Sequence, residues 1–259
     1  RGLGDVYKRQ YGLSDEESTI TIPVKSDYDY TVDMPAWITG EKVKEGYNFT
    51  LTENTTGNAR KGTVIFKSQK GTKEITFVQF GVNDIAGTYE ATYSTFGEGD
   101  DWVSETVKIE LLQDEENEAV FYADGLSSIR GVVLPLKFDG ETYQLSALNG
   151  QYLGFIESQK WYLYTIVRSE AGYVHADTSL SYPAIAELDV DDEELMPFFP
   201  FKDKKGFSFT GETGTIKSFI DAIGVYVFAS KSPTFGNNNN LGYYDIFKGL
   251  SIKKIKADH

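Results

Sequence analysis

The chain has 259 residues, 40% apolar and 14% aromatic, with 39 acidic against 25 basic side chains, two histidines and no cysteine. That length and apolar share suffice for one large or two ordinary packed domains. The absence of cysteine excludes disulfides, thiolate metal sites and thiol nucleophiles, two histidines leave little for zinc or His-based catalysis, and a net charge of −14 disfavours nucleic acid as a partner. The 17 tyrosines and 17 phenylalanines favour strands over helices. No run approaches the roughly 18 apolar residues that a membrane-spanning helix needs.

Arg1 to Gln10, RGLGDVYKRQ, show neither hydrophobic periodicity nor the basic, apolar and small-residue zones of a signal peptide. They look like translated adapter read-through; the alternative is a native tail. Residues 1–13 are expected outside the fold. On the first reading an export signal and a lipidated cysteine would stand upstream, and a membrane is reached only through that lost anchor.

From Ser14 the pattern becomes short and alternating. Thr19 to Val24, Tyr28 to Val32, the segment opened by Trp37, Tyr47 to Thr52, Thr63 to Ser68 and Glu74 to Phe80 read as six strands with turn residues between them. Such spacing without a helical period indicates an antiparallel sandwich over residues 14–82. The order of parts is distinctive: Trp37 after Pro35, an Asn54-Thr55-Thr56 turn, Arg60 and Lys61 before Gly62, then an apolar strand and a last strand ending in Val78-Gln79. In these features Ser14 to Gly81 resembles the BACON domain, a small β-sandwich found near the N-terminus of many Bacteroidota surface proteins.

A polar joint at Val82-Asn83-Asp84 leads to a second domain, residues 84–259. Its expected strands are Thr88 to Thr95, Ser104 to Leu112, Glu118 to Ala123, Val132 to Phe138, Thr142 to Leu148, Trp161 to Arg168, Gly206 to Thr210, Gly224 to Ala229 and Leu250 to Ile255. Ile216 to Ile223 could supply one or two helical turns. The fold class is therefore all-β: the N-terminal sandwich plus a C-terminal antiparallel domain, closed as a barrel or folded as a sandwich. Gly87-Thr88-Tyr89 resembles the opening strand of lipocalin-like barrels. Gly125 to Ser128 and the stretch ending at Gly154 are similar to the region that follows BACON modules in Bacteroidota lipoproteins. The acidity belongs to this second part, where residues 82–259 carry 28 acidic against 14 basic side chains, while residues 11–81 carry ten against eight.

Several constellations have a structural and a functional reading. Trp37 fills the sandwich core or stacks on a sugar; Arg60 and Lys61 form a solvated corner, a carboxylate pair or a binding site. Asn48 and Asn54, each in an Asn-x-Thr triplet, read as turn chemistry in a bacterial protein. Asp189, Asp191, Asp192, Glu193 and Glu194 form a solvated acidic loop or a calcium site, although the fixed spacing of a calcium loop is missing. Met196 to Phe201, with two prolines, reads as an apolar loop that caps a barrel end or offers Phe198 and Phe199 to a partner protein. His175 and His259 lie in no catalytic or metal-ligand phrase. No catalytic residue, metal or cofactor is expected.

The aromatic side chains of the second domain are the candidate ligand-binding residues. Alternation puts Trp161, Leu163 and Val167 on one face of their strand and Tyr162, Tyr164 and Ile166 on the other. Trp102, beside Asp101 in a Gly97 to Trp102 loop, suits a sugar platform flanked by hydrogen-bonding carboxylates. Tyr243 follows an Asn-rich loop, Gly236 to Asn240, that offers amides. The candidate set is Trp102, Asp101, Trp161, Tyr162, Tyr164 and Tyr243. The BACON resemblance implies an exported lipoprotein of the Bacteroidota cell envelope, at the outer-membrane surface or in the periplasm; such modules accompany glycan-degrading enzymes, but with no catalytic phrase and no room for a hydrolase domain the chain reads as non-catalytic. It would take part in capture of a polysaccharide or oligosaccharide, with the BACON module as spacer or docking unit. Two alternatives stand beside it: a lipocalin-like cup for a small apolar ligand, lined by Tyr162, Tyr164, Tyr226 and Phe228, and a structural or protein-interaction element.

Overall fold

A computed structural model describes residues 10–188 and 195–256. The acidic residues Asp189, Asp191, Asp192, Glu193 and Glu194, and also His259, lie outside the described residues. The chain divides into two compact units at Asp84 and Ile85. Among the described residues the structure is β throughout, apart from one 3-10 turn at Val82–Asp84.

The N-terminal unit has seven strands: β1 (Gln10–Leu13), β2 (Ser18–Ile22), β3 (Tyr30–Asp33), β4 (Ile38–Val43), β5 (Gly46–Leu51), β6 (Arg60–Ser68) and β7 (Gly71–Gln79). They form two sheets, ordered β1-β7-β6-β3 and β2-β5-β4. The expectation that residues 1–13 lie outside the fold is corrected for Gln10–Leu13, which pairs in parallel with β7, Tyr11 opposite Phe77 and Leu13 opposite Gln79. Unpaired, β7 would present an open row of backbone groups at the sheet edge, and β1 covers it. The two inner faces meet in a core of Ile22, Ile38, Phe49, Leu51, Val64, Phe66, Ile75 and Phe77. Alternation along β5 and β6 delivers these side chains to one side.

The distinctive residues of this unit converge on one corner. Trp37 packs against the core, and the Arg60 guanidinium lies 4.2 Å from its ring centre. Arg60 Nε donates to Gln79 Oε1 at 2.7 Å and Nη2 donates to the Thr52 and Glu53 carbonyls, while Gln79 Nε2 donates to Thr52 O at 2.8 Å. Arg60 is thus a tie across the corner rather than a solvated charge. Gly62 is required because a Cβ there would stand 2.5 Å from Trp37 Cζ2. Asn54 is buried; it accepts from Thr56 and donates to Asn58 O, which makes it the turn residue expected. Asn48 instead sits in mid-strand and accepts from Thr21 Oγ1.

The C-terminal unit contains β8 (Gly87–Phe96), β9 (Trp102–Gln113), β10 (Val120–Asp124), β11 (Leu134–Asp139), β12 (Gln144–Leu148), β13 (Tyr152–Ile156), β14 (Trp161–Ser169), β15 (Val174–His175), β16 (Ser181–Ile185), β17 (Glu187–Leu188), β18 (Pro197–Pro200), β19 (Phe207–Gly211), β20 (Gly214–Ser218), β21 (Ile220–Phe228) and β22 (Asn240–Lys254). A ring runs antiparallel through β22, β8, β9, β10, β11, β12, β16 and β18, and returns to β22. Its last link is thin, a bridge between Ala184 and Phe201 with Lys202 N donating to Pro183 O at 2.8 Å. Ring order follows chain order, as in up-and-down barrels.

The ring interior is filled. Tyr89, Ile109, Phe121, Leu145, Tyr182, Phe199 and Ile252 are all at most 2% exposed. The free space among Ala123, Leu134, Ile223 and Leu250 is about 10 Å³, the room of a single water. Met196 to Phe201 is no open loop: Pro197–Pro200 is a strand between β17 and β22, and Phe199 is fully buried. Its prolines occupy the first and last positions of a short strand, where missing N–H groups do least harm. Ile216 to Ile223 forms no helix; it divides between β20 and β21.

Two segments depart from the ring. β13 to β15 lie between β12 and β16, and β19 to β21 lie between β18 and β22. β21 pairs with the first half of β22 and continues the sheet outward through β14 to β13. This outer layer carries the candidate residues.

Candidate binding face

Both faces of the outer layer are apolar, as the near-continuous hydrophobic runs of β14 and β21 require. One face carries the buried Leu163, Val167, Ile223 and Val225, with Ile223 beside Ala123, Leu134 and Leu250 of the barrel core. The other assembles Tyr164, Ile166, Ala222, Tyr226, Phe228 and Ile246, with Trp102, Tyr162 and Tyr243 packed against them. Register explains the gathering: Tyr162 stands opposite Phe228, Tyr164 opposite Tyr226, and Tyr226 opposite Tyr243.

Ring contacts run in series across this face. Trp102 and Phe96 centroids are 4.7 Å apart, Phe96 and Tyr243 5.3 Å, Tyr243 and Tyr226 5.2 Å, Tyr226 and Phe228 5.2 Å, Phe228 and Tyr164 5.7 Å, and Tyr164 and Tyr152 5.4 Å. Phe155 meets Tyr162 at 4.6 Å, and Phe235 leans on Tyr226 and Phe228. The row crosses β9, β8, β22, β21, β14 and β13; five inter-strand spacings of about 4.8 Å make it roughly 24 Å long. Tyr164, Tyr226 and Phe228 are buried, whereas Phe96, Tyr152, Phe155 and Phe235 are each exposed by 43 to 49%. Aromatic surface left half open on a packed layer is surface available to a ligand.

Bulges set which rings share the face. In β13 the register slips at Gly154, whose φ is 150°, so Tyr152 pairs with Tyr164 and Phe155 with Tyr162. Simple alternation would have separated those two rings; the extra residue turns both outward together. In β22, slips beside Tyr226 and Phe228 keep Tyr243 on the face and leave Tyr244 and Leu241 as the surplus, exposed residues.

The charges against the rings are cationic. Lys248 Nζ lies 4.4 Å and the Arg168 guanidinium 5.2 Å from the Trp102 ring, and Lys231 Nζ lies 4.9 Å from Tyr152. Arg168 is held by Asp221, Nη1 to both carboxylate oxygens at 3.2 and 3.0 Å. Burial pushes the Tyr243 phenol up to about 12, with Arg168 opposing the shift, so Tyr243 is a neutral hydrogen-bonding group at any ordinary pH. Burial raises the Tyr164 phenol as well.

Four of the six candidate residues, Trp102, Tyr162, Tyr164 and Tyr243, therefore meet on one face. Trp161 does not. It points to the opposite side and contacts Tyr244 at 6.3 Å, as alternation requires. Trp102 is the first residue of β9 rather than a loop residue, and its neighbours are Lys248 and Arg168 rather than acids. Asp101 is exposed, and its main-chain carbonyl closes the hairpin by accepting from Gly97 N at 2.9 Å. Asp245, near Tyr243, is occupied by the Ser127 and Ser128 hydroxyls at 2.6 Å each, which gives the Gly125 to Ser128 phrase a structural role.

The Asn-rich loop is internally tied. Asn239 donates to the Ser232 and Thr234 carbonyls, and Asn240 accepts from Gly236 N, which leaves Asn237 and Asn238 exposed at its tip with left-handed backbones. Tyr226 and Phe228, expected inside a cup, belong to this outer face and not to the barrel interior. Phe96, Tyr152, Phe155 and Phe235 were not among the candidates. The signal for Tyr152 and Phe155 was a short strand, and its irregular spacing around Gly154 concealed it.

The chain matches no protein-family model and no curated protein. Functional assignment therefore rests on the geometry of this face.

Proposed function

We propose that this is a non-catalytic, exported cell-envelope protein that captures glycan chains on the aromatic face of its C-terminal unit. The half-open row of Phe96, Tyr152, Phe155 and Phe235 over a rigid layer of buried rings carries this reading. Sugar rings present apolar C–H surfaces to aromatic faces and hydroxyls to flanking polar groups. Arg168, Lys248, the Tyr243 hydroxyl and the Asn237 and Asn238 amides are the polar groups at hand. The roughly 24 Å length suits an oligosaccharide better than a single sugar. The N-terminal sandwich, with its BACON-like corner around Trp37, serves as spacer or docking unit. The filled barrel gives no support to a cup for apolar ligands.

The test is a glycan-array screen of the full chain beside two variants. Phe96, Phe155 and Phe235 changed together to Ala should lose binding at least tenfold, since each stacked ring contributes about 0.5–1.5 kcal/mol. Trp161→Ala, on the opposite side, should bind as the parent does. Failure of any glycan to bind, or equal binding by the triple variant, would refute the proposal.

A further inference from the structure

A cleft in the C-terminal unit lies away from the aromatic row. It has a volume of about 660 Å³ where β12 and β16 meet the segment between β18 and β19, and Lys202, Lys204 and Lys205 line it together. Three of the fourteen basic residues of this acidic part thus fall within four positions. Asp203, between them, does not offer them its carboxylate. Its Oδ1 accepts from Lys205 N and Gly206 N, and its Oδ2 accepts from Ile220 N at 2.9 Å. These bonds fix the turn that presents the lysines, and among the described residues none of the three lysines makes an ion pair. Leu180, Pro183 and Phe207 supply apolar wall, and Phe207 is itself stacked edge-on against His175 at 5.0 Å.

We infer that this cleft binds a small organic anion, its oxyanion among the three ammonium groups and its ring or short apolar body against Leu180, Pro183 and Phe207. The volume lies within the range of small-molecule sites, which combine apolar lining with a few placed polar groups. The four-residue turn, with Asp203 counted, carries a surplus of two positive charges. A long polyanion leaving the cleft would meet the negative field of the remaining surface within a screening length of about 8–10 Å. A ligand that fits inside does not. This site is separate from the aromatic row and does not depend on glycan binding there.

The probe is phenyl phosphate, titrated into the 15N-labelled full chain, with inorganic phosphate and phenol as its two halves. Saturable shifts in amides of 180–185 and 202–207 are expected, with phenyl phosphate binding roughly tenfold tighter than inorganic phosphate because of ring burial. A Lys202→Gln, Lys204→Gln, Lys205→Gln variant that keeps a dispersed spectrum should bind at least tenfold more weakly, the effect of losing one charge-assisted bond or more. Inorganic phosphate binding as tightly as phenyl phosphate would remove the organic body from the site. Equal affinity in the triple variant, shifts elsewhere, or no saturable binding would overturn the inference altogether. Because none of these residues belongs to the aromatic row, loss here leaves the glycan assay unchanged.

Discussion

Replacing Gly62 by Ala should destabilise the N-terminal sandwich, and the reason makes the sign reversible. A new Cβ would sit 2.5 Å from Trp37 Cζ2 and 2.9 Å from Pro35 Cγ. A change of ring pucker relieves the proline; the indole is held by Arg60 and by the core and must move. Overpacking of this kind costs about 1–3 kcal/mol. For a unit of this size each kcal/mol lowers the melting temperature by roughly 4–8 °C. The backbone at Gly62 is not left-handed, so without the indole the same substitution should stabilise by about 0.4–1 kcal/mol through the unfolded chain. The assay is a urea titration followed at the amides of Phe49 and Phe66, which report this unit alone. Gly62→Ala is measured in the parent and in Trp37→Ala. A penalty that survives in the Trp37→Ala background would refute the packing argument.

Tyr182→Phe should cost the barrel about 1–3 kcal/mol, because its hydroxyl lies 3.1 Å from both the Phe201 and Asp221 carbonyls beside the ring's thin closure; an unchanged thermal midpoint would remove that role. The His175 imidazole, packed against Phe207 and Phe209, is held below its ordinary value by burial, with Asp177 opposing. As pH falls below about 6.5 the unfolded chain takes up a proton that the folded chain resists, so stability should decline and then level off below the folded-state value. His175→Gln should flatten that slope in melts between about pH 7 and 5, and identical slopes would exclude His175 as its source. Gly154→Val, at a φ that side chains rarely adopt, should disturb the β13 bulge and weaken glycan binding while the barrel midpoint holds; unaltered binding would deny the bulge its part in presenting Phe155.

Much of the all-β architecture was legible because alternation is a local signal. Ile20 and Ile22, or Phe49 and Leu51, announce a buried face within five residues. Ile216, Ile220 and Ile223 suggested a helix by their spacing, yet they belong to two strands separated at Phe219, where sheet pairing overrides a weak periodic hint. Pro197 and Pro200 suggested a loop, since sequence does not reveal that a two-proline segment occupies a short strand beside β22. The aromatic face was half legible. Alternation separated Tyr162 and Tyr164 from Trp161 correctly, but the alignment of Tyr152 with Phe155 depends on one surplus residue, and the approach of Lys248 to Trp102 depends on how β22 and β9 are brought together. Such facts belong to register and not to composition.

The ring of β22, β8, β9, β10, β11, β12, β16 and β18 is complete without the outer layer, which hangs on two excursions between successive ring strands. Tyr152, Phe155, Tyr162 and Tyr164 come from the first excursion; Tyr226, Phe228 and Phe235 come from the second. A scaffold divided in this way separates the problem of folding from the problem of recognition. The two excursions can change length, register and ring content to suit a new ligand, and the closed barrel that anchors them need not be rebuilt.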